Sequence, residues 1–71
     1  MRPQDYEVDI LPLREGEGGG FAAIAPELPG CRSDGDTPQA ALENAYDAIT
    51  CWIEAAEEMG RDVPAPRRLA A

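Results

Sequence analysis

Carboxylates dominate the side chains that could do chemistry in this 71-residue chain: 14 acids stand against six bases, all Arg, and there is no His. Without His there is no Ser–His or Cys–His pair and no imidazole ligand for a metal. Ser33 and Cys31 therefore lack a base to activate them. Asp9, Glu27, Asp34 and Asp36 fall near predicted strand ends, where paired carboxylates could hold a divalent cation for hydrolysis. Their spacing matches no Ca²⁺ loop, and acids in turns and ahead of helices ordinarily serve turn and cap chemistry. A metal-dependent nuclease using Asp9 and Asp36 is the weakest reading, and no cofactor or metal is expected. Gly16-Glu17-Gly18-Gly19-Gly20 is rich in glycine but lacks phosphate-loop spacing, precedes a strand and carries repelling acids.

The formal net charge is -8 and the sequence pI is near 4.2. Phosphate neutralisation needs Lys and Arg, so direct nucleic-acid binding is not expected. If charge selects a partner, that partner is basic.

These side chains must be held by a short series of elements. Tyr6 to Ile10 alternate apolar and acidic, the period of a strand with one buried face. Pro12 and the glycines read as a hairpin connection. Phe21 to Ala25 is the return strand. It is apolar on both sides, which predicts a central position with something covering each face. Pro29-Gly30 suits a type II turn. Cys31 to Ser33 makes a short third strand, and Asp34-Gly35 turns again. Thr37 is the helix N-cap, Pro38 its first residue, and Gly60 stands where the helix ends. Asp62 to Ala71, with Pro64 and Pro66, reads as a tail or at best an edge strand. The domain is assigned to residues 1–66 and the tail to 67–71.

At 100° per residue, Leu42, Ala45, Tyr46, Ile49, Trp52, Ile53 and Ala56 share one helix face, with Met59 at its edge. That face covers the sheet, and core packing accounts for Tyr46 and Trp52. Glu43, Asp47, Glu54 and Glu58 form the opposite stripe. They repel at i,i+4 and reach the negative end of the helix dipole with nothing basic on the helix to offset them, while Arg61 just beyond it sits favourably at that end. The stripe is either a solvated face or a docking stripe for a basic partner. With the turn acids Glu27, Asp34 and Asp36 it makes up the candidate partner surface. Ala41, Asn44, Ala48, Cys51 and Ala55 form a flank of small residues expected to pack against another chain.

A chain this short buries only about 60% of its unfolded surface and usually needs an added source of stability. The two Cys form no CxxC pair, and neither a signal peptide nor a membrane span is evident. A cytoplasmic location, reduced thiols and a homodimer or tetramer are expected.

The order of strand, glycine hairpin, Pro26-Glu27-Leu28-Pro29-Gly30-Cys31, Gly35-Asp36-Thr37 and an Ala/Glu helix resembles the HicB-like antitoxin family. Phe21, Ala41, Leu42, Ala45, Ile49, Trp52, Pro64 and Pro66 extend the match. The resemblance implies an α+β, partial RNase H-like fold: three antiparallel strands, or four, with one long helix on one face. It implies an antitoxin of a type II toxin–antitoxin system, which masks a small basic HicA-like mRNA interferase and is not itself an enzyme. Many relatives add a C-terminal DNA-binding domain, for which no room is expected here. The competing reading is an orphan HicB-like oligomeric interaction module without a cognate toxin.

Overall fold

The computed structural model describes residues 2–66. Strands β1 (Asp9–Pro12), β2 (Phe21–Ile24) and β3 (Arg32–Gly35) form one antiparallel sheet in the order β1-β2-β3. Helix α1 (Pro38–Glu58) packs across one face of it. The α+β architecture read from the sequence is the one observed. Whether Arg67–Ala71 adds a fourth strand lies outside the described residues.

The register places Ile10 beside Ala23 and Leu11 beside Ala22 on one side of β2, and Ser33 and Asp34 beside the same residues on the other. Strand β1 starts later than the alternation suggests. Tyr6 and Val8 lie ahead of the ladder, yet both pack into the core. Period-two patterning reports which way side chains point, and here that extends beyond the paired residues. Asp34-Gly35 is strand rather than turn. A Cβ on Gly35 would fall 2.5 Å from the Ala41 nitrogen, so this strand needs a residue without a side chain where the helix crosses it. Pro12, expected to interrupt β1, is its last paired residue. Pro tolerates this position on an edge strand, where its missing N–H points away from the ladder.

The glycine connection works as read. Gly18, Gly19 and Gly20 all take positive φ, and the Leu13 N–H donates to the Gly20 carbonyl at 2.9 Å to close the hairpin. The helix starts on Thr37, whose Oγ1 accepts from the Ala40 N–H at 3.0 Å. It ends in a Schellman turn: Gly60, at φ 70°, donates to the Glu57 carbonyl, and the Arg61 N–H donates to Ala56 at 2.8 Å.

The core runs between sheet and helix in two parts. One is built from Ala23, Ala41 and Ala45 with Val8, Ile10 and Phe21 around them. The other holds Tyr6, Ala25, Leu28, Cys31 and Ile49, with Tyr46, Trp52 and Ile53 packed against it. Polar anchors fasten the second part. The Tyr6 hydroxyl donates to the Pro64 carbonyl at 2.7 Å, which ties the segment after the helix back to the start of the chain. Pro66 is fully buried there. The Trp52 indole N–H donates to the Pro29 carbonyl at 2.9 Å and holds the Pro26–Gly30 turn against the helix.

Contrary to the expectation of cover on both faces, the helix covers only the side of β2 that carries Phe21, Ala23 and Ala25. No element of the described residues lies over the other side. At the outer edge of β3, the Asn44 side-chain N–H donates to the Asp34 carbonyl at 2.8 Å.

Candidate functional site

The core-facing side of α1 is rotated from the sequence reading toward Ala41, which is 0% exposed. Ala41 therefore leaves the candidate oligomer flank: its small size lets the helix approach Gly35 rather than a second chain. Ala48 is half-buried against the core, and the Asn44 amide is engaged on Asp34. Of that flank, Cys51 and Ala55 are left as free surface. Met59, read as the edge of the core face, is 59% exposed at the helix end.

Glu43, Asp47, Glu54 and Glu58 are all exposed on the outer side of α1. No basic residue occupies the last turn. Cys51 and Ala55 lie beside the stripe by helical spacing, so the acids border a shallow strip of small side chains. The outer helix surface can thus offer carboxylates to a basic surface that approaches closely.

The turn acids do not join this stripe. Glu27 is only 8% exposed, and its Oε1 accepts from the Glu7 N–H at 2.8 Å. It is a turn-fastening carboxylate and leaves the partner surface. Nothing local in the sequence signals this, because its donor is 20 residues away. Asp34 pairs beside Ala22 and so lies on the open side of the sheet, away from the helix. Asp36 is exposed just before the helix N-cap. Asp9 and Asp36 stand toward opposite corners of the sheet, since Asp9 shares a row with Ile24 while Asp36 follows the Phe21 row. The carboxylate pair needed by the nuclease reading is not assembled. Among the described residues no three His, Cys, Asp or Glu side chains gather where they could hold a metal ion.

Two buried groups are shifted. Burial, then the negative charges of Glu27 and Asp5, push the Tyr6 hydroxyl above 10.0. Burial pushes the Cys31 thiol above 9.0, which makes it a poor nucleophile. Cys31 and Cys51 are both free thiols, the first buried and the second exposed. Among the described residues no helix is long and apolar enough to cross a membrane.

Fold and surface together define a small α+β domain whose helix layer presents uncompensated carboxylates on its outer side. Residues 8–71 match the HicB_like antitoxin of bacterial toxin-antitoxin system. The chain belongs to this HicB-like antitoxin family. It is similar to two proteins of Synechocystis sp. The UPF0150 protein ssr1765 is 38% identical over 61 residues, covering 86% of this chain and 76% of that protein. The UPF0150 protein ssl0259 is 33% identical over 60 residues, covering 84% and 78%. No solved structure matches the chain significantly.

Proposed function

We propose that this protein neutralises a small, basic HicA-like toxin in the cytoplasm by binding it through the outer surface of α1. Glu43, Asp47, Glu54 and Glu58 make the contact, and Asp36 adds charge at the helix start. The observation that carries this reading is an exposed stripe that departs from helix electrostatics in two ways at once. Its acids repel along the helix at i,i+4, and those near its end approach the negative pole of the dipole with no base in the last turn. Such local departures concentrate at functional surfaces. A carboxylate row also suits the task, since it replaces phosphates on a toxin's RNA-binding surface and speeds encounter.

Co-expression with a short basic protein encoded beside it tests the proposal. Rescue of growth and co-purification are expected. Reversing Glu54 and Glu58 to Lys should weaken the complex and flatten its dependence on ionic strength. If affinity and salt dependence are both unchanged, the stripe is only a solvated face.

A further inference from the structure

The loop that joins β2 to β3 fixes one backbone donor that nothing uses. The Cys31 N–H donates to the Leu28 carbonyl at 3.0 Å and Gly30 takes φ 77°, which makes Leu28–Cys31 a type II turn. Its central peptide, Pro29–Gly30, is trans, so its carbonyl and its N–H point in opposite directions. The Trp52 indole N–H donates to that carbonyl at 2.9 Å. The Gly30 N–H is thereby aimed away from Trp52, and it has no acceptor among the described residues. Gly30 lines a hollow of about 240 Å³ enclosed by this loop, with Ile24, Pro26, Leu28 and Cys31 among its apolar walls and Arg32 in its lining. Ile24 and Arg32 are cross-strand partners, so both side chains stand on the side of the sheet away from the helix. Leu28 and Cys31 are buried and Arg32 is exposed, which gives the hollow an apolar floor and a charged rim. Asp9 and Asp34 share that side of the sheet but do not pair with Arg32, since the ion pair found among the described residues is Arg2–Asp5.

We propose that this hollow binds the C-terminal residue of a partner polypeptide. An apolar side chain enters the loop, and the free α-carboxylate accepts hydrogen bonds from the Gly30 N–H and the Arg32 guanidinium. A backbone N–H beside a guanidinium suits a carboxylate, because bonds to a charged acceptor are about twice as strong as neutral ones. The hollow is smaller than the roughly 300–1,000 Å³ of drug-sized ligand sites, so it admits one residue rather than a nucleotide. A chain with net charge -8 repels acids at long range. An acid with no apolar group to bury is therefore not retained. Trp52 is a positioning residue: by holding the Pro29 carbonyl it stops this peptide from flipping and taking the Gly30 N–H with it. The site lies off the acidic stripe of α1 and stands independently of the toxin reading.

A heteronuclear NMR titration of the full chain with N-acetyl-Gly-Gly-Leu tests this. Binding should be saturable, with a Kd of about 1 mM. The Gly30 amide proton should move downfield, with shifts at Ile24 and Cys31 beside it. The C-terminal amide of the same peptide, and acetate, should each bind at least about tenfold more weakly. Arg32→Gln, at an exposed position, should cost about tenfold in affinity, while Arg14→Gln should change nothing. Trp52→Phe, checked for folding by circular dichroism, should weaken binding and abolish the downfield Gly30 shift. The absence of a saturable shift at Gly30 overturns the proposal. So does equal binding of acid and amide, or an equal loss in Arg14→Gln and Arg32→Gln, which would mean diffuse attraction to any cation.

Discussion

At the end of the interface nearest the helix N-terminus, Ala23, Ala41 and Ala45 fill the space that Tyr6, Leu28 and Ile49 fill at the other end. The alanine end brings helix and strand backbones together over Gly35. Its geometry is fixed by what cannot be added. The aromatic end is fixed by what is present: bulk, plus hydrogen bonds from Tyr6 to Pro64 and from Trp52 to Pro29. A domain this small can use both devices because each answers a different need. Close approach sets the tilt of the helix, and large side chains supply most of the buried apolar area.

Ile49→Ala should have the largest effect. It leaves a cavity at a fully buried site and should cost about 2–5 kcal/mol. A chain of this size has roughly 4–10 kcal/mol in total, so urea unfolding should show a deep loss or no folded baseline. Gly35→Ala tests the other end, with an expected loss of about 1–3 kcal/mol from overpacking. Its added methyl meets Ala40 and Ala41 backbone atoms rather than a movable side chain. If Gly35→Ala proves neutral, the alanine end is not a close-packed fulcrum and the contrast fails. Tyr6→Phe should cost about 1 kcal/mol by removing the bond to Pro64. Limited proteolysis should then cut near Asp62–Pro66 sooner than in the native chain.

The smallest effect is a slope. The Tyr6 pKa is raised in the folded state, so the folded protein holds that proton longer than the unfolded chain does. The stabilisation is complete below pH 10.0 and is lost as pH rises through the folded value. Cys31 acts in the same sense from 9.0 upward. Thermal midpoints measured above neutral pH should therefore decline on the alkaline side. The decline should be shallower in Tyr6→Phe, while Gly35→Ala should leave its shape unchanged.

The two ends were not equally legible in the sequence. Thr37-Pro38 and Gly60 announced the helix limits because caps are local chemistry. The aromatic end followed from helical spacing, which put Ile49 and Trp52 on one face. The alanine end misled, since Ala is ambiguous: Ala41 reads equally well as a surface for another chain or as a seat for Gly35, and only the crossing point of strand and helix decides. Gly35 itself looked like a turn residue for the same reason. Glu27 was misplaced because a carboxylate in a Pro-Gly turn looks exposed, while the Glu7 N–H that holds it comes from a distant segment. The candidate stripe was visible as a pattern, but that Asp34 lies on the opposite layer required the register.

The edges of the sheet carry a last consequence. Asn44 occupies a carbonyl on the outer side of β3, and Pro12 removes a donor from the outer side of β1. Both lie where an added strand would have to zip on. Growth by strand addition is therefore interrupted at both borders. The sheet is thus closed to open-ended extension at its margins, a guard against fibre-like growth.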